Sequence, residues 1–121
     1  QEDELLKEVY TAIRAADERK AGDVRCLKVS HLTVMTEYMI ILVGTSRPQN
    51  QAIAANIIEL MEEKHERICK QQGTPSSGWI LLDYGDLIVH IMTPKSRAYY
   101  DLDGYWANGE DVDLSQIIKP D

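Results

Sequence analysis

The sequence predicts one α/β (α+β) domain, a mixed sheet flanked by helices with its elements in the order α-β-β-α-β-β-α. Three stretches carry that expectation. Tyr38-Met-Ile-Ile-Leu-Val43 is a continuous apolar run, the mark of a strand buried on both faces and so of the sheet's centre. Residues 3–20 place Leu5, Leu6, Val9, Ala12, Ile13 and Ala16 at helical spacing, which gives an amphipathic helix with one face to bury. Two branched apolar runs, 79–82 and 87–92, flank Asp83-Tyr-Gly-Asp86, where Tyr84-Gly85 supplies a residue free to take φ > 0; this predicts an antiparallel hairpin.

Taken in order, the first helix has Glu2, Asp3 and Glu4 at its start, Arg19 and Lys20 at its end and Gly22 as its stop, the polarity that the helix dipole favours. Residues 23–29 alternate Val24, Cys26 or Leu27, and Val29 with Arg25 and Lys28, and predict a strand with one wetter face. Residues 30–35 form a connection of no settled type. After the central run, Gly44-Thr-Ser46-Arg-Pro48 offers a turn, a cap and a proline suited to a first helical turn. The spacing of Ile53, Ile57, Leu60, Met61 and Ile68 extends the second helix to about residue 72, with Glu63–Arg67 and Glu66–Lys70 as exposed i, i+4 pairs. Gln72 to Gly78 is loop-rich, and Pro94 opens a third helix over 94–103. The domain is expected over residues 1–106, followed by an acidic C-terminal tail, 107–121, with a small apolar patch at Ile117-Ile118.

A chain of 121 residues is long enough for one core without staples. Its formal charge is −7, from 20 acidic and 13 basic residues, a balance that repels phosphate backbones and suits a basic protein partner or plain solvation. Cys26 and Cys69 stand in no metal-binding spacing and read as reduced thiols rather than a disulfide. No apolar run approaches a membrane span. Gln1 in place of Met leaves a trimmed upstream segment open, hence a cytoplasmic (bacterial) or an organellar location, chloroplast or mitochondrion.

Two catalytic constellations are weighed. Ser46 lacks the G-x-S-x-G elbow, because Pro48 stands where the second glycine belongs, and a serine before a helix is ordinarily its cap. The strand-Gly44-Thr-Ser46-helix entry also resembles nucleotidyltransferase folds, so a Mg²⁺-dependent transferase using Ser46 and Asp83/Asp86 is the alternative reading; turn aspartates, however, are commonplace. The binding case is stronger. Residues 79–106 hold both Trp and four of the six Tyr in a chain without Phe, and Trp79, Tyr84, Tyr99, Tyr100, Tyr105 and Trp106 cannot all face one small core. Trp, Tyr and Arg dominate protein interfaces.

These residues carry a resemblance. Trp79-Ile-Leu-Leu-Asp83-Tyr-Gly-Asp86-Leu-Ile-Val-His90-Ile-Met, then Arg97-x-Tyr99-Tyr100-x-Leu102 and Trp106, resembles the ribosomal silencing factor (Iojap) family. So do Asp23-Val24, Leu32-Thr33, Thr36-Glu37-Tyr38 and Gly44-Thr45-Ser46-Arg47, over roughly residues 5–106. The resemblance implies a nucleotidyltransferase-like topology without the catalytic acids, no cofactor or metal, and a non-enzymatic factor. It implies a partner, the large ribosomal subunit, engaged through its fourteenth large-subunit protein with little direct rRNA contact. Docking there blocks subunit joining and represses translation; organellar relatives assist large-subunit assembly, and relatives are often homodimers. The partner-facing residues it implies are Trp79, Asp83, Asp86, His90, Arg97, Tyr99 and Tyr100. The chain departs from the family's pattern at Thr36-Glu37-Tyr38-Met39, where T-D-Y-F is usual, before Trp79, where a glycine-glutamate run is missing, and in its acidic extension.

Overall fold

The structure, a computed structural model, describes residues 2–118, with side chains from Glu4 onward. Helix α1 (Glu2–Glu18) leads into β1 (Gly22–Lys28), a turn-rich connection and the central strand β2 (Tyr38–Val43). Helix α2 (Arg47–His65) follows, then β3 (Lys70–Thr74), a 3-10 turn (Pro75–Ser77), β4 (Trp79–Asp83) and β5 (Leu87–Met92). Two short helices, α3 (Pro94–Tyr100) and α4 (Leu102–Tyr105), and a short strand, β6 (Glu110–Asp111), follow. The six strands form one mixed sheet in the order β3-β4-β5-β2-β1-β6. Only β2 and β5 run parallel; β1 with β2, β1 with β6, β3 with β4 and β4 with β5 are antiparallel.

Every residue of β2 is buried, as a continuous apolar run requires of a strand covered on both faces. One face presents Tyr38, Ile40, Leu42, Ile80, Leu82, Val89 and Ile91 to Val9, Ile13 and Ala16 of α1 and to Ile53, Ile57 and Met61 of α2, and this is the main core. The opposite face is a smaller layer, with Met39, Ile41 and Met92 under Trp79, Leu102 and Trp106. Helix α2 starts as its sequence requires: Ser46 accepts from the Gln49 N–H and Pro48 sits in the first turn. Its first turn is tied to the chain just past α1, where the Gln49 side chain donates to the carbonyls of Arg19 and Lys20.

Several expectations need correction. The second helix stops at His65, not near 72, because Glu66 takes the left-handed conformation (φ 55°) and its N–H closes the helix on Glu62 and Met61 carbonyls. Ile68 therefore leaves the helix and is exposed, and the Glu63–Arg67 and Glu66–Lys70 pairs do not form as helix pairs. Arg67 turns inward to Glu8 and Asp86. Residues 70–74 form an edge strand that sequence pattern hid: all five residues are exposed, so no apolar alternation marks them. The third helix is broken in two at Asp101 (φ 49°), whose carboxylate accepts from the Gly104 N–H. The first helix is closed by Lys20 in the left-handed region, not by Gly22, which opens β1. The acidic stretch after Trp106 is seated on the domain through residue 118: Glu110–Asp111 pair with Leu27–Lys28, and Val112, Leu114, Ile117 and Ile118 pack against the main core. Both cysteines are free, Cys26 buried and Cys69 half-buried outside any helix.

Candidate partner-binding face

Side chains alternate across a strand, so β4 and β5 divide their residues between two faces. Ile80, Leu82, Val89 and Ile91 point at the helices. Trp79, Leu81 and Asp83 stand opposite Met92, His90 and Ile88 in register on the other face. Helix α3 rises beside that row, started by Thr93, whose hydroxyl accepts from the Ser96 N–H, with Pro94 in the first turn.

The aromatic residues there form a ladder. The Trp79 indole N–H donates to His90 Nδ1 at 3.0 Å, and the two rings lie 5.7 Å apart. Tyr100 packs on Trp79 at 4.6 Å, and Tyr99 meets Tyr100 edge-on at 5.0 Å. His90 is only 4% exposed, whereas Tyr100 is 49% and Tyr99 80% exposed. The ladder thus runs from the buried sheet face to solvent. Beside it a groove of about 270 Å³ is lined by Gln72, Gly73, Ser77, Trp79, Leu81 and Tyr100. Burial lowers the His90 pKa to about 4, so the ring is neutral near pH 7. An indole N–H only donates, so Nδ1 is the acceptor and the proton sits on Nε2, which is buried without a partner among the described residues.

The remaining expected site residues sort by geometry. Asp83 accepts from the Gly85 N–H at 2.8 Å, and Gly85 supplies the positive φ (88°) of the hairpin turn. Asp86 accepts from Arg67 at 2.6 Å. Arg97 grips Asp103 with two nitrogens, each at 3.0 Å, and its third reaches the Asp23 carbonyl, which fastens α3 to α4 and β1. Arg25 adds Asp103 at 3.2 Å and Asp111 at 2.9 Å. Hydrogen bonds from Arg97 and Arg25, over opposing burial, hold the Asp103 carboxyl below its usual range. Tyr84, read from sequence as part of the aromatic surface, is buried in the main core. Its ring lies under Arg67, 5.8 Å from the guanidinium carbon, and burial raises its pKa.

Ser46 does not meet Asp83 and Asp86. The parallel register sets Val43 beside Met92 at one end of the sheet and Tyr38 beside Leu87 at the other, so the serine and the aspartates are separated by about 20 Å of strand. Sequence reasoning missed a second exposed apolar group on the connection before β2, where Val34 and Met35 stand free beside Gly85 and Asp86. Three apolar residues, Leu32, Val34 and Met35, in one short connection were its only signal.

The arrangement has close relatives. The family model described as ribosomal silencing factor during starvation matches residues 2–121. The chain belongs to the ribosomal silencing factor family. A silencing factor of Chromobacterium violaceum is 36% identical over 109 residues, 90% of this chain and 89% of its own. The chloroplastic Iojap protein of Zea mays is 35% identical over 111 residues, 92% of this chain and 48% of its own, so the chain spans about half the length of that relative. A crystal structure of a Chromobacterium violaceum protein superposes with a TM-score of 0.81 at 31% identity, covering 95% of this chain and 96% of that one. A second, from Bacillus halodurans, gives 0.76 at 31% identity over 93% and 99%. The family match takes in the sheet, the helices and the segment that carries the aromatic residues. Among the described residues no helix is long and apolar enough to cross a membrane.

Proposed function

We propose that this chain is a non-enzymatic factor that docks its aromatic sheet face on the large ribosomal subunit, through the fourteenth large-subunit protein, and sterically prevents joining of the small subunit. The observation that carries this reading is the ladder Trp79–Tyr100–Tyr99, in which Trp79 covers the small layer of Met39, Ile41 and Met92 while Tyr100 and Tyr99 carry aromatic surface out into solvent beside a groove. Membership of the silencing-factor family supports it, as does the name of a Mus musculus relative, mitochondrial assembly of ribosomal large subunit protein 1, 25% identical over 104 residues.

Charge supports a protein contact over an RNA contact. A surface at −7 is repelled by bare phosphate and attracted to a basic protein. A ring such as Tyr100 or Trp79 is the anchor, filling a partner pocket where desolvation gives it most of its value. Asp83 and Asp86 at the hairpin give the rim its sign, Asp86 while sharing Arg67. A steric block needs affinity and position only. The transferase alternative would need Ser46 and the hairpin aspartates at one site, and they stand at opposite ends of the sheet. Co-sedimentation with isolated large subunits, small subunits and intact ribosomes tests the proposal. Binding to free large subunits is expected; no binding to them overturns it.

A further inference from the structure

We infer that His90 is a positioning residue: as a neutral, Nδ1-accepting imidazole beneath the open face, it fixes the Trp79 indole in the orientation that the docking surface requires. This deepens the docking proposal and rests on it. Its basis is the cost of having a histidine at this place. His90 is 4% exposed and its Nε2 hydrogen has no partner among the described residues. A leucine would fill the same strand position without an unsatisfied donor. What the imidazole supplies and leucine lacks is the Nδ1 lone pair, and that lone pair receives the Trp79 N–H at 3.0 Å.

The local geometry explains why an orienting bond has something to do at this position. Trp79 is the first residue of β4, paired across to Met92, so strand pairing fixes its backbone but not the torsions of its side chain. The hydrogen bond removes that freedom. The indole is in turn the surface on which Tyr100 rests at 4.6 Å, and both rings wall the groove with Leu81, the residue directly opposite His90. An indole released from His90 changes the groove and the footing of Tyr100 together, leaving the main core on the other face untouched. His90 acts through Trp79, not by touching a partner.

The test pairs two variants with two readouts. H90L keeps volume and removes the acceptor; H90N restores an acceptor near the position of Nδ1. In the wild-type chain, nitrogen NMR of labelled histidine is expected to find His90 as the Nε2-protonated tautomer, with the Trp79 indole N–H slow to exchange. H90L is expected to speed that exchange while leaving amide protection across β2 and α2 unchanged, and H90N to restore it. In co-sedimentation, H90L is expected to bind large subunits about five- to tenfold more weakly and H90N nearly as well as wild type, the worth of one orienting hydrogen bond. An Nδ1-protonated wild-type tautomer overturns the inference without any variant. Equal binding by wild type and H90L overturns it with docking intact. Failure of the wild type to bind large subunits overturns the docking proposal and with it the contribution of His90 to affinity, while the NMR readout still decides whether His90 holds the indole.

Discussion

Arg67 ties α1 to the β4–β5 turn through one guanidinium, donating to Glu8 of α1 at 2.6 Å and, in the turn, to Asp86 at 2.6 Å and to the Tyr84 carbonyl at 2.8 Å. The Glu8 and Arg67 side chains are 16% and 26% exposed, so cutting the link leaves a largely buried carboxylate without a partner. Arg67→Met is expected to cost about 1–3 kcal/mol in urea unfolding and to loosen the hairpin that presents Asp83 and Asp86. His90 makes a pH signature. Its pKa falls from an ordinary 6.5 to about 4 on folding, so the unfolded chain takes the proton first. Stability is expected to decline as pH drops from about 6.5 toward 4, by at most about 3 kcal/mol, and then to level off for this group. The Asp103 and Asp111 carboxyls, held below their usual 3.8 by arginine hydrogen bonds, add a separate loss that begins only as pH falls through that range. Stability curves of wild type and H90L measured between pH 7 and 4 check the sign: the slope in that window should flatten in the variant.

At the scale of elements, Glu66 is exposed and holds a left-handed conformation that glycine adopts at no steric cost. Glu66→Gly is therefore expected to raise stability by about 0.5–1 kcal/mol, read as a higher urea midpoint. Gly73 is the reverse case. It sits at φ 80° in β3 with room for no side chain, since an added Cβ would lie 2.2 Å from the Trp79 carbonyl oxygen. Gly73→Ala should cost about 1–3 kcal/mol and displace the start of β4, with changed Trp79 fluorescence as its mark. These elements also mark what was legible in sequence. The hairpin, the buried strand β2 and the starts of α2 and α3 were readable because each follows a local rule: alternation, a continuous apolar run, a cap followed by proline. Strand β3 was not, because a strand exposed on both faces has no apolar period. The end of α2 and the break at Asp101 were missed because Glu66 and Asp101, not glycines, take the left-handed conformation there, and no glycine marks the stop.

For the molecule as a whole, the sheet is covered unequally, with two long helices on one face and two short ones with an aromatic ladder on the other. The identity of the open face was legible, since the sequence gathers its aromatics in residues 79–106; how its members divide was not. Tyr84 entered the core by packing against residues distant in sequence, Arg97 became a clamp on Asp103 across the break between α3 and α4, and Val34 with Met35 joined the exposed apolar surface. The acidic C-terminal stretch belongs to the same whole, adding an edge to β1 and four apolar side chains to the core. Removing residues 107–121 is expected to lower stability by about 2–4 kcal/mol; a stretch that merely trailed from the domain would leave the unfolding midpoint unchanged. The most direct test of the central claim is to titrate the chain into isolated large subunits and then follow the light-scattering rise as small subunits join. A dose-dependent loss of joining is expected, with a Tyr99→Ala/Tyr100→Ala variant needing about thirtyfold more protein although it remains folded. Undiminished joining at concentrations that saturate the large subunit would contradict the claim.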